Sequence, residues 1–290
     1  MKKYFSLGQL LIDYRELFGI SQADLAAMAD VDVRTVQRWE RNDTLVKPEK
    51  EEELVRATFL PHQLIRNLNA SRPIPTYYDF SLRKYSLSDM DKDLPEAHWV
   101  RERIHIPSAR VRTLRPEPDL ENVLQYLKYR NKERQILRTS VLKEAVRLLP
   151  GLNLYVTDEL GFYSGHSLVL PLKEESYRQL RERHIVPEEL TWEDLTDYRS
   201  SERPCFFSYS VAADCNDNIY LLLGAIIRFL KKWNDKEYTW CAVTDRYDTY
   251  YLHSNIGLRV VWEDKDHLSP FGSPYRFVEG DFREFLKGEE

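Results

Sequence analysis

Three stretches of the chain hold side chains able to do chemistry. Arg34, Thr35, Gln37, Arg38 and Arg41 cluster near the N-terminus, with Gln22 a little before them. Guanidinium, hydroxyl and amide groups donate to phosphate oxygens and base edges, so this is a candidate nucleic-acid surface. Ser164 and His166 share the polar turn 163–167, and Asp214 and Asn216 flank Cys215. These are candidate ligand-pocket residues. The alternatives are a hydrogen-bonded structural histidine and a small cysteine opening a helix. Asp245, Arg246, Tyr247, Asp248 and Tyr250 crowd a third stretch, with His253 just beyond. They could bind a polar ligand, or cap and pair a helix. No metal-ligand spacing, nucleophile elbow, Walker loop or dinucleotide fingerprint occurs, so neither a catalytic residue nor a metal is assigned.

The first stretch needs helices to present it. Leu10, Leu11, Tyr14, Leu17 and Phe18 recur at helical spacing, which predicts a helix over Leu7 to Phe18 with Gly19 as its stop. Ser21 and Asp24 form a capping box for a helix over 22–29. Asp32 caps a third helix, Val33 to Glu40, whose Val36 and Trp39 turn inward and leave the Arg, Thr and Gln side chains outside. A further short helix is expected over Glu51 to Phe59. Two short helices about three residues apart, the second displaying Arg, Thr and Gln, make a helix-turn-helix pattern.

Ile20-Ser-Gln-Ala-Asp-Leu-Ala26, followed by Val31-Asp-Val-Arg-Thr-Val-Gln-Arg-Trp-Glu-Arg-Asn42, resembles the Cro/phage-repressor (XRE-type) helix-turn-helix family over about residues 7–60. Asp30 stands where that family usually has Gly; Asp tolerates a left-handed backbone at modest cost. The resemblance implies that residues 33–38 enter the major groove of double-stranded DNA. Arg34 and Arg38 would then take guanine edges or phosphates and Gln37 adenine, with Val33, Thr35 and Arg41 beside them. Gln22 would meet a phosphate at its helix start.

Residues 61–118 read as a basic, aromatic-rich connector. Tyr77, Tyr78, Phe80 and Tyr85 interleave with Arg66, Arg72, Arg83 and Lys84. Such a mixture is either a backbone-tracking nucleic-acid surface or a set of aromatics that pack on the following domain.

Residues 119–290 alternate helical and strand patterns in the order α-α-β-β-α-β-α-β-α-β-β. This predicts an α+β domain with a mixed sheet and flanking helices. The order, with Tyr250-Tyr-Leu-His-Ser-Asn-Ile-Gly-Leu-Arg-Val-Val261, resembles the GCN5-related acetyltransferase (GNAT) fold. That family holds the coenzyme A pyrophosphate on a glycine-rich loop opening the central helix. Here residues 213–219 have no Gly and no Arg, and two acids that repel phosphate. His253 stands near the place of the family's proton-donating Tyr. The domain therefore reads as the fold without acetyl transfer and without a cofactor; acetyl-CoA enters only under the alternative of a DNA-tethered acyltransferase.

The composition allows this multidomain arrangement. The 290 residues suit about two domains. No stretch of about 18 apolar residues occurs, which excludes a transmembrane helix. Three cysteines without paired spacing argue against a disulfide framework, and a cytoplasmic location is expected. The net charge of −5 divides into −2 for residues 1–60, +6 for 61–150 and −9 for 151–290. The acidity thus lies away from the helix-turn-helix. Expected partners are double-stranded DNA, a second copy in a homodimer and a small-molecule effector.

Overall fold

The computed structural model describes residues 1–87, 108–130, 135–232, 236–246, 254–269 and 272–287. The chain divides into two compact units. The first takes the described residues up to 87 together with 158–164 and 214–216; the second takes the rest.

The first unit is built on α1 (Leu7–Phe18), α2 (Gln22–Met28), α3 (Val33–Glu40), α4 (Pro48–Thr58) and α5 (His62–Leu68). Ser6, which the sequence pattern did not single out, caps α1, while the other caps lie where the sequence places them; Gly19 ends α1 in the left-handed region at φ 62°. Ser21 and Asp24 close the capping box on α2. The Asp32 side chain accepts the Thr35 amide at the start of α3. These cap bonds hold the Asp24 and Asp32 carboxyls below the usual carboxylate range. Asp30 takes the turn at φ 50°, where Gly would sit without strain.

A small antiparallel sheet completes this unit: β1 (Lys2–Tyr4) pairs with β2 (Thr76–Asp79), and β2 with β3 (Lys84–Ser86). The sequence pattern did not reveal it, because β1 is three residues long and its partner lies more than seventy residues away. Tyr78 is core, and Phe80 and Tyr85 pack against that core rather than forming a stacking surface. Phe80 meets α1, whereas the Tyr85 amide donates to the Asp214 carbonyl at 2.7 Å, so part of the connector rests on a segment from the following domain, one of the two alternatives the sequence pattern left open. Tyr4, Tyr14, Phe18 and Tyr78 surround Phe80 with ring centroids 4.9–6.5 Å away. Arg83 and Lys84 are buried too. The Arg83 guanidinium lies over both the Phe59 and Tyr163 rings, 5.1 and 5.2 Å from their centroids, and its Nε donates to the Phe59 carbonyl. The His62 ring stacks on Phe162 at 4.6 Å.

The second unit holds a seven-stranded mixed sheet. Its strands are β4 (Val111–Thr113), β5 (Leu154–Thr157), β6 (Tyr163–Leu172), β7 (Cys205–Ala213), β8 (Thr239–Thr244), β9 (Leu258–Leu268) and β10 (Pro274–Gly280). Their order is β4-β5-β6-β7-β8-β10-β9. β7 and β8 are parallel, as a helical crossover requires. That crossover is α9 (Asn216–Lys231), preceded in the chain by α6 (Asp119–Arg130), α7 (Thr139–Leu148) and α8 (Glu174–Arg181); α10 (Arg283–Lys287) follows the last strand. Leu222, Ile226 and Leu230 of α9 pack with Phe206, Trp240 and Val278 of the sheet. The helices and strands of this unit fall close to their expected positions. Some features differ: the polar turn expected at 163–167, with Ser164 and His166, is instead the start of strand β6, β4 and α10 were not expected, and the helix expected from Lys132 begins at Thr139 among the described residues. The short helix expected over 245–255 lies largely outside the described residues.

Two buried carboxylates brace the unit. Asp119 lies under Arg112 and Arg115, and its chelated oxygens also take the Arg115 amide. Glu279 accepts from Tyr177 at 2.6 Å, Arg181 at 2.8 Å and Arg259 at 2.9 Å. Burial works to raise the Glu279 pKa, but the three donors outweigh it and hold the value at about 2.

Candidate nucleic-acid interface and ligand cavity

On α3, Val36 and Trp39 point into the core, fully buried or nearly so. Rotation by about 100° per residue then turns Arg34 and Arg38 outward with Val33. Arg34, Arg38 and Arg41 are exposed, Val33 is 39% exposed, and Thr35 and Gln37 are partly exposed.

A chain of side-chain bonds runs beneath this face. Arg15 of α1 donates through Nε to Glu40 Oε1 at 2.5 Å and through Nη2 to Oε2 at 3.3 Å. A further Arg15 bond, of 3.2 Å, goes to the Ile20 carbonyl. Gln22 of α2 donates to Glu40 Oε2 at 2.6 Å. Gln37 of α3 donates to Gln22 Oε1 at 3.2 Å. Each amide is thereby oriented: Gln37 keeps its carbonyl oxygen and a second N–H for an outside partner, the pair an adenine edge requires. Sequence reasoning picked out Gln22 and Gln37 but missed Arg15 and Glu40. Their signal was an acid four residues after Val36, on the inward stripe of α3, where a carboxylate needs a cation.

α1 sits tight on the end of α3. A Cβ on Gly8 would lie 2.4 Å from the Glu40 carbonyl oxygen, so only Gly allows the approach. The Gly8 amide also donates to Asn42 Oδ1 at 3.1 Å.

In the second unit, the parallel ladder of β7 and β8 runs only from Cys205–Thr239 to Ser208–Ala242. The register between β6 and β7 shifts at this point, with Leu168 opposite Ser210 and Val169 opposite Ser208. Tyr209 is the extra residue of a β-bulge, and a bulge bends its strand. Beyond it the two strands part, and a cavity of about 200 Å³ opens between them and α9. Its walls are largely apolar, with Ser208, Ser210 and Thr244 from the strands and Arg130, Asp245 and Arg246 at the polar end.

Of the residues expected to line a pocket, Ser164, Asp214 and Asn216 belong to the first unit and are buried there. The Asp214 amide donates to the Ser164 carbonyl at 3.0 Å. His166 belongs to the second unit, is fully buried, meets the Tyr126 ring edge-on and lies 2.8 Å from Ser210 Oγ. Ser210 lines the cavity, so His166 stands one hydrogen bond behind its wall. Tyr250 and His253 lie outside the described residues. The described residues contain no group of three or more His, Cys, Asp or Glu side chains able to hold a metal. No helix among them is long and apolar enough to cross a membrane.

Residues 11–65 match the family model for the helix-turn-helix. The N-terminal region is a helix-turn-helix. Its α2 and α3 carry the motif, and α4 and α5 extend to the end of the matched segment. No curated protein matches the chain. Similar solved structures include Naa20 from Chaetomium thermophilum in complex with a bisubstrate analogue, at 14% identity and TM-score 0.38 over 62% of this chain and 90% of that one. A structure described as histone acetyltransferase HPA2 and related acetyltransferase from Corynebacterium glutamicum matches at 11% identity and TM-score 0.35, over 59% and 94%. The C-terminal condensation domain of Ebony in complex with beta-alanyl-dopamine matches at 13% and 0.32, over 64% and 95%. At these scores none of them bears on what this chain does.

Proposed function

We propose that the protein is a sequence-specific DNA-binding transcriptional regulator, acting as a homodimer in the cytoplasm, whose C-terminal unit senses a small molecule and does not transfer acyl groups. One observation carries the DNA reading: α3 displays Arg34 and Arg38 outward beside a Gln37 whose amide is oriented by Gln22. Arg34 and Arg38 read guanine edges or phosphates, Gln37 reads adenine, and Gln22 and Arg41 meet the backbone. Residues 1–60 carry a net charge of −2, so a single copy binds weakly and two half-sites are needed. The test is a gel shift with the protein's own promoter region at two salt concentrations. A specific, salt-sensitive shift that falls at least 100-fold with Arg34→Ala and Arg38→Ala together supports the reading; an unchanged shift refutes it.

The second reading is a DNA-tethered acyltransferase. It is favoured by the ladder of β7 and β8 ending at Ser208–Ala242, where the two strands part beside a cavity. An extended amide-bearing molecule such as acetyl-CoA fits between strands parted in this way. Against it stand the two acids at 214 and 217, around the start of α9. Calorimetric titration with acetyl-CoA decides: saturable micromolar binding favours transfer, and its lack favours sensing.

A further inference from the structure

We propose that Ser210 is a nucleophile with His166 as its base, and that the cavity of the C-terminal unit takes a small acyl ester whose acyl group Ser210 accepts; its meaning as a signal rests on the small-molecule-sensing reading above. The two side chains meet for reasons of register. His166 on β6 stands opposite Ala212 on β7, and Ser210 lies two residues before Ala212. Side chains two apart on a strand share a face, so both project on one side of the sheet. There His166 Nε2 lies 2.8 Å from Ser210 Oγ. A serine hydroxyl within hydrogen-bond reach of an imidazole has the base it needs to attack a carbonyl carbon. The strands beneath the pair are tightly apposed: a Cβ on Gly165, next to His166, would lie 2.7 Å from the Ala212 carbonyl oxygen. The Tyr126 ring packs in a T-shape on the imidazole, 5.3 Å between centroids and 68° between planes, and helps fix its orientation.

The pair is also the right way round. Ser210 lines the cavity, whereas His166 is fully buried behind it. The hydroxyl thus faces a guest while the base is kept from water. The strand that carries Ser210 is bulged at Tyr209, the residue before it, and a bulge re-aims the side chains beside it. The walls suit both parts of an ester. Leu223, Ile226 and Trp240 offer an apolar bed for the acyl chain, and the volume of about 200 Å³ keeps that chain short. Ser208 and Thr244 place hydroxyls on the same walls, and a hydroxyl can donate to the oxygen of a tetrahedral intermediate. With the imidazole proton on Nδ1, Nε2 accepts the Ser210 proton as Oγ bonds to the carbonyl carbon. The C–O bond to the alcohol then breaks, and Nε2 returns the proton to the departing oxygen. The products are one acyl-serine and one alcohol; no cofactor, oxidant or second substrate enters. The acyl group stays on the chain, so the step differs from transfer between two bound substrates.

The test uses p-nitrophenyl acetate and the full chain. A burst of about one equivalent of p-nitrophenolate per chain is expected, with the acetyl group found on Ser210 by peptide mass mapping. Ser210→Ala should abolish the burst, and Ser210→Cys, which keeps a nucleophile in place, should retain it. His166→Gln should slow the burst about 100-fold or more, the usual contribution of a general base. The Ser210 arms stand even if the His166 variant fails to fold. No burst, a burst that survives Ser210→Ala, an acetyl group mapped only to other residues, or an unchanged burst in a folded His166→Gln variant overturns the proposal. Acylation of Ser210 as expected, with no effect on the DNA gel shift, upholds the nucleophile and refutes the sensing role instead.

Discussion

Glu40→Gln puts the bonds beneath α3 to the test with almost no change of shape. The Glu40 side chain is only 6% exposed and serves two neighbours, the Arg15 guanidinium and the Gln22 amide. A glutamine keeps one acceptor oxygen and turns the other atom into a donor. If the oxygen stays on Arg15, the new NH2 points at the Gln22 Nε2 donor. If it turns to Gln22, the NH2 points at a guanidinium 17% exposed that then has lost its counter-charge. Gln22 cannot escape by flipping, because its own oxygen already accepts from Gln37. One charge-assisted bond is lost in either case, at about 1.5–3 kcal/mol, and a donor faces a donor. We expect about 2–3 kcal/mol of destabilisation. For a unit of about a hundred residues this lowers its melting temperature by roughly 10–20 °C. Scanning calorimetry of the full chain reads this as a shift of one of two transitions. Below the melt, DNA binding should also weaken at the base read by Gln37, because Gln22 no longer fixes its amide. A shift under 2 °C with unchanged operator preference would refute the reasoning.

Three further outcomes follow from single contacts. Gly8→Ala forces a methyl group into the Glu40 carbonyl oxygen and should cost about 1–3 kcal/mol with loss of DNA binding, whereas Gly19→Ala, with open space around its Cβ, should be penalised only for its left-handed backbone; denaturant midpoints compare the two. Asp30→Gly should stabilise by about 0.5 kcal/mol, since it relieves a left-handed residue and gives up only an ion pair in which Asp30 is 91% exposed; the Lys50 bond to the Asp30 carbonyl oxygen, 2.7 Å, remains. Glu279 has a folded pKa of about 2 against a usual value of 4.5, so its contribution is complete above the unfolded value and is lost as pH falls from about 5 towards 2. Melting temperatures across that range should fall less steeply for Glu279→Gln, and parallel curves would show that Glu279 is not the group responsible.

The parts of the molecule readable in the sequence are those fixed by near neighbours. The end of α1 and the start of α3 follow from Gly19 and Asp32, each acting within four residues of itself. The outward turn of Arg34 and Arg38 follows from the period of the helix once Val36 and Trp39 are inside. The cavity was not readable, because its cause is a difference of register. Tyr209 is extra with respect to β6, and nothing in Ser208-Tyr209-Ser210 announces which strand it will pair with. Asp245 and Arg246, singled out for their crowded polarity, do line the cavity, but its other walls are mostly side chains that read as ordinary core. The placing of Phe80 against α1 also depends on a long loop closure that periodicity does not encode.

The helix-turn-helix unit is not a cassette. It draws residues 158–164 and 214–216 from far along the chain. Splicing residues 1–87 onto another protein would therefore leave behind Phe162 and Tyr163, the rings on which His62 and Arg83 rest. Two polar side chains fitted to a dry setting would meet water on one side and unfilled space on the other. Grafts of this unit should accordingly fail unless His62 and Arg83 are redesigned. By the same connectivity, a protease cutting once anywhere between the units would nick the chain without freeing a complete helix-turn-helix unit.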